Sequence, residues 1–185
     1  MTDDAARNAH RLPGSWHASG RSREAGFAEL LREHAGLLSR IARSYEASPS
    51  LCDDLLQNIS MAIWRALPAW RGEASLKTFV ARIAHNCAAS HVIGHTRRPA
   101  SEPLTEDIAD LGHGPDARAD AEQRSARLQD AVRALPLSLR QAVTLALEGF
   151  SQQEIADTLG ISANNVAVRM NRARSALKAR LEEPA

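Results

Sequence analysis

Residues 151–174 read SQQEIADTLGISANNVAVRMNRAR, a short helical segment, a glycine turn, a capping serine and a longer basic helix. Gly160 is free to take the positive φ that ends one helix and redirects the chain. Ile161 can plug the angle between the two helices, and Ala156 is small enough to let them approach. Ser162 is a capping residue type just ahead of the second helix. This is the grammar of a helix-turn-helix, whose second helix enters a DNA groove.

The second helix carries the charge. Residues 161–181 hold five Arg or Lys and no acid, although the whole chain has a formal net charge of only +1. At roughly 100° per residue, Val166, Met170, Ala173 and Leu177 form one narrow stripe that faces a core. Asn164, Asn165, Val168, Asn171, Arg172, Ser175 and Lys178 fall on the opposite side, where Asn and Arg can hydrogen-bond base edges or phosphates. Val168 is wasted in water amid that polar arc but suits a thymine methyl. Arg169 and Arg174 flank the arc, in place for phosphates. A merely solvated basic helix would explain the charge alone; it would not explain the turn grammar ahead of it or the absence of acids.

The rest of the chain supports a helical protein. Its 185 residues are 44% hydrophobic but only 4% aromatic, and Ala, Leu, Arg, Glu and Gln dominate over β-branched residues. We expect an all-α fold of two small helical domains. Apolar residues at Phe27, Leu30, Leu31, Leu37, Leu38, Ile41 and Tyr45 predict a first helix. Ser50 is placed to cap a second, with Asp53 and Asp54 near its positive end, running to Leu67 before Pro68. Ser75 caps a third, over residues 76 to 95. Residues 99–121 hold three prolines, two glycines and six acids against Arg118, which reads as a flexible acidic linker. Four short helices follow, over 122–135, 139–147, 151–159 and 163–181. The expected organisation is a disordered tail at 1–25, one domain at 26–98, the linker at 99–121 and a second domain at 122–185.

Two further faces stand out. On the second helix Asp54, Gln57, Asn58, Met61 and Arg65 share a side, a polar surface with an embedded methionine that suits a protein partner. On the third, Leu76, Val80, Ile83, Ala84 and Cys87 make the apolar stripe, leaving Arg82, His85, Asn86, Ala89 and Ile93 to point the other way. Cys87, His91 and His95 sit on adjacent turns, yet one metal ion rarely takes three ligands along a straight helix, and Cys87 reads better as a small buried thiol. Cys52 and Cys87 are expected to be free thiols. No phosphate loop, nucleophile elbow or HExxH pattern is present, so neither catalysis nor a cofactor is expected. No apolar run approaches the ~20 residues of a membrane span, and the N-terminus lacks the apolar segment of a signal peptide. A cytoplasmic protein without membrane insertion is expected.

Residues 52–90, CDDLLQNISMAIWRALPAWRGEASLKTFVARIAHNCAAS, resemble region 2 of bacterial RNA polymerase sigma factors of the extracytoplasmic-function (ECF) group. That region has a DDL-like start, a Gln one turn later, an LW-type pair, FRGE, a TW-type pair and RIAxN. The chain matches with Asp53, Asp54, Gln57, Ile63, Trp64, then WRGE at 70–73, Thr78, Phe79 and RIAHN at 82–86. Residues 135–174 are similar to region 4 of the same factors. The resemblance implies docking of Asp53, Asp54, Gln57, Met61 and Arg65 on the clamp helices of the polymerase's largest subunit. It implies capture of the unpaired minus-ten strand by Trp70, Arg71, Glu73, Arg82, Asn86, Arg97 and Arg98, with one base flipped into a pocket. It assigns the minus-thirty-five element to Asn164, Asn165, Ala167, Val168, Arg169, Asn171, Arg172, Arg174 and Lys178. The second-largest subunit's flap and an anti-sigma factor are further partners implied in this way. A helix-turn-helix regulator acting without polymerase is the alternative.

Overall fold

The computed structural model describes residues 23–97 and 117–182, with side chains over 23–94 and 123–182. Among the described residues there are seven α-helices, one 3-10 turn and no strand. The first unit comprises α1 (Arg23–Arg43), α2 (Pro49–Ala66), the 3-10 turn Leu67–Ala69 and α3 (Leu76–Arg97). Leu30, Leu37, Leu38 and Ile41 of α1 are buried, and Tyr45 just beyond its end is buried with them. The start of α2 differs from the expectation of a Ser50 cap. Ser48 is the N-cap, without a side-chain cap bond, and Pro49 opens the helix, where its missing N–H costs nothing. At α3 the expected cap forms: Ser75 Oγ accepts the Thr78 N–H at 3.1 Å.

α3 is the packing hub of this unit, in contact with both α1 and α2. Val80, Ala81, Ala84 and Ala88 are fully buried along it, and the three alanines let neighbouring backbones come close. One expectation fails here. The helical spacing sends His85 outward with Arg82 and Asn86, but His85 is only 1% exposed. Its Nδ1 is 2.7 Å from the Tyr45 hydroxyl, and the two rings meet edge to face at 5.7 Å. The cause is a second buried face: α1 covers the side of α3 that its apolar stripe does not reveal.

The second unit comprises α4 (Ala117–Arg133), α5 (Leu137–Leu147), α6 (Gln152–Leu159) and α7 (Ala163–Glu182). Helix α4 begins at Ala117 rather than Glu122, and α5 at Leu137 rather than Leu139. Val132, Leu135, Val143 and Ala173 form a small core between α4, α5 and α7. A larger core runs through both units, joining Ile41, Ile59 and Val80 to Leu145, Phe150, Ile155 and Val166. The two units therefore pack against each other, with α3 lying on α5 and α6.

Candidate nucleic-acid interface

The helix-turn-helix is built by local chemistry. Ser151 caps α6 through a reciprocal box: its Oγ accepts the Glu154 N–H at 3.3 Å, and Glu154 Oε2 accepts the Ser151 N–H at 2.7 Å. That backbone hydrogen bond holds the Glu154 carboxyl below its ordinary pKa. Gly160 ends α6 in the left-handed conformation, φ 66°, and the N–H groups of Gly160 and Ile161 both reach Ala156 O. Ser162 Oγ then accepts the Asn165 N–H at 3.2 Å to start α7, and Gln152 Nε2 donates to Ala163 O at 2.7 Å, tying the two helix starts together. The angle between helices is thus set by hydrogen bonds as well as by packing.

Helix α7 divides as its spacing predicts. Val166 and Ala173 are buried, and Met170 and Leu177 are half-buried beneath them. Asn164, Asn165, Asn171, Arg172, Arg174, Ser175 and Lys178 are exposed, and Val168 remains 42% exposed among them. Ala167 is half-buried at the edge. Arg169 is less free than its neighbours: Nε donates to Asn165 Oδ1 at 3.0 Å and Nη1 to Ser138 O at 3.5 Å. Arg174 Nη1 lies 3.4 Å from Asn171 Oδ1, and Lys178 pairs loosely with Glu182 at 3.7 Å. The outward face presents amide and guanidinium groups with an exposed apolar centre at Val168.

The loop before α3 is also organised. Gly72 turns it at φ 78°, and Trp70 Nε1–H donates to Ala74 O at 3.2 Å while its half-buried ring leans on Phe79, 6.0 Å away. Arg71 and Glu73 are exposed on this loop, and Arg82 and Asn86 are exposed on α3. Arg82 is already engaged, donating from Nη2 to Asp157 O of α6 at 2.8 Å. Arg97 closes α3, its side chain outside the described residues, as is the whole of Arg98.

On α2, Asp53, Asp54, Gln57, Asn58 and Arg65 are exposed, with Met61 41% exposed among them. Trp64 turns inward instead, edge-on to Phe27 at 5.0 Å and covered by the Arg23 guanidinium at 3.9 Å. Cys52 and Cys87 are free thiols whose burial raises their pKa, which lowers their nucleophilicity. His91 Nε2 is 3.0 Å from Glu46 Oε2, so it is spoken for within the first unit. Among the described residues no group of three His, Cys, Asp or Glu is placed to hold a metal, and no helix is long and apolar enough to cross a membrane.

These surfaces define the class: an all-helical protein with a helix-turn-helix reader in one unit and a second, separate polar face in the other. Residues 30–98 match sigma-70 region 2 and residues 125–177 match sigma-70 region 4. The RNA polymerase sigma-H factor of Pseudomonas aeruginosa is 33% identical over 139 residues, spanning 70% of this chain and 72% of the relative. The sigma factor CnrH of Cupriavidus metallidurans is 27% identical over 184 residues, 95% of each. The solved structure of CnrH in complex with the cytosolic domain of CnrY superposes with a TM-score of 0.68, at 26% identity over 94% of this chain and 97% of that one. The chain belongs to the sigma-70 family, in the ECF group, and is an alternative sigma factor.

Proposed function

We propose that the two units divide the work of promoter recognition, with 26–98 serving polymerase and the minus-ten strand and 122–185 serving the minus-thirty-five duplex. The observation that carries this is the exposed face of α7, free of acids from Ala163 to Leu181 and mounted on a turn fixed by the Ser151–Glu154 box, Gly160 and Ser162. In this reading Asn165, Val168, Asn171 and Arg172 read base edges, while Arg169, Arg174 and Lys178 add salt-sensitive phosphate contacts. Asn164 and Ala167 lie at the edge of the same contact. Asp53, Asp54, Gln57, Met61 and Arg65 meet the clamp helices, and the flap holds the second unit. Trp70, Arg71, Glu73, Arg82, Asn86, Arg97 and Arg98 hold the melted strand; trapping an unpaired base needs no ATP, because binding it opposes re-pairing.

The chain supplies binding and orientation, and the polymerase the chemistry, in the cytoplasm where that enzyme works. A helix-turn-helix regulator acting alone would leave the region 2 match without a purpose. CnrH is seen bound to the cytosolic domain of CnrY, and by that likeness an anti-sigma protein controls this chain too. Arg172→Ala tests the recognition face, since Arg172 is exposed and holds no core contact. Promoter-dependent initiation should fall about tenfold or more, from loss of one guanidinium contact, with polymerase binding retained. Unchanged initiation would show that α7 is not the reader.

A further inference from the structure

Two asparagines on the outward face of α7 are held in one orientation. Arg169 Nε donates to Asn165 Oδ1 at 3.0 Å, one turn back along the helix, and Arg174 Nη1 reaches Asn171 Oδ1 at 3.4 Å. A guanidinium carries only donors, so the amide atom it meets is the oxygen. In each carboxamide the acceptor therefore lies against an arginine, and the NH2 group points away from it. Arg169 is itself held, because its Nη1 donates to Ser138 O in the first turn of α5 at 3.5 Å. Those bonds leave part of the guanidinium donor set open, so the same side chain can still meet a phosphate.

Position on the helix decides what this does. At roughly 100° per residue, Asn165 and Asn171 stand about 120° apart, one at each edge of the exposed arc, with Val168 midway between them. Arg169 and Arg174 lie just outside those edges and reach inward. No carboxylate stands on α7 between Ala163 and Leu181 to offer another acceptor. The arc thus presents amide N–H groups at both edges, the Arg172 guanidinium beside Asn165, and an apolar centre. In a major groove guanine offers the acceptors O6 and N7, and thymine offers O4 next to its methyl group, whereas adenine and cytosine each present an amino donor. The two-bond contact of asparagine with adenine needs the amide oxygen to accept from N6. Here that oxygen is taken. Swinging it to a base would break a bond with a charged donor, while the NH2 group donates at no such cost.

We propose that Arg169 and Arg174 are positioning residues that lock Asn165 and Asn171 as hydrogen-bond donors, so that α7 selects guanine or thymine edges over adenine and cytosine. The inference rests on the functional reading above, in which this face enters the minus-thirty-five groove, and deepens it by naming the base chemistry. Asn165 has the shorter bond, so the test is made there.

Holoenzyme assembled from purified core polymerase and the full-length chain is bound to duplexes of a promoter mapped by run-off transcription. Asn165→Ala first locates the base pair: it should flatten the preference at one position of the minus-thirty-five element. At that pair adenine is placed on each strand in turn and compared with purine, which lacks only the 6-amino group. The effect of deleting that group should be the same in wild type and Asn165→Ala, because the wild-type oxygen does not accept from it. Arg169→Ala frees the oxygen, and on one strand binding should come to depend on the amino group by about fivefold or more. On that strand wild type should favour guanine or thymine over cytosine by a similar factor. Arg169→Lys keeps a charged donor and should restore the wild-type pattern. Loss of a phosphate contact or a folding defect weakens every duplex by one factor and cannot produce this change of preference. Wild type that needs the adenine amino group, where Asn165→Ala does not, overturns the lock and leaves the reading of α7 intact. Arg169→Ala that weakens all duplexes equally does the same. If Asn165→Ala alters no base preference, Asn165 does not read the duplex, and its functional assignment fails together with the lock.

Discussion

Acidification should destabilise this protein through His85. The imidazole is enclosed by α1 and α3, and burial lowers its pKa from 6.5 to about 4. Its Nδ1 meets the Tyr45 hydroxyl and its Nε2 is buried without a partner, while Arg140 lies 5.5 Å from the Tyr45 ring and adds nearby positive charge. The folded pKa is below the unfolded one, so the unfolded chain binds more protons between about pH 6.5 and 4, and stability falls as pH drops through that window. From pH 7 to 5 the loss attributable to His85 is about 2 kcal/mol, or a fall in Tm of about 4–8 °C. The measurement is urea unfolding of wild type and His85→Gln at both pH values. The glutamine can still meet Tyr45 but does not titrate, so its loss on acidification should be smaller by about 2 kcal/mol. His34, whose pKa burial also lowers, contributes the same sign in both proteins and cancels in the difference. Equal pH slopes for the two proteins would refute the claim that His85 is held neutral by burial.

Other outcomes follow from the same geometry. Gly160→Ala meets no atom within 4 Å, so its cost is conformational, about 1–2 kcal/mol for a side chain at φ 66°, read by thermal unfolding. Asp54→Ala combined with Gln57→Ala alters only exposed positions; stability should stay within about 0.5 kcal/mol while affinity for core polymerase falls. Val168→Ala should leave the fold intact and relax base preference at one position of the minus-thirty-five element, read by binding to a set of single-base variants.

Much of the α7 unit was legible because its signals are local. A 3.6-residue stripe at Val166, Met170, Ala173 and Leu177, a serine cap and a turn glycine are each written within a few residues of where they act. Ser75 was legible for the same reason. The start of α2 was missed because Pro49 at the first helical position, with Ser48 before it, competes with the Ser50 reading, and the proline won. His85 was missed because α3 buries two sides, and the second is marked only by Ala81 and Ala88, which fit a core or a surface equally well. The seam between units was invisible in the sequence. Arg40 and Glu148, which pair across it, are 108 residues apart, and nothing in either one's neighbourhood names the other. The cost of that blindness falls on Arg82, which spacing correctly turns outward but whose partner in this state is a carbonyl of α6.

The most direct test of the sigma assignment is run-off transcription by purified core polymerase on genomic promoter fragments, with and without the full-length protein. A sigma factor will give discrete new start sites that depend on the added chain and weaken with Arg172→Ala. Core polymerase giving the same transcripts whether or not the chain is present would contradict that assignment.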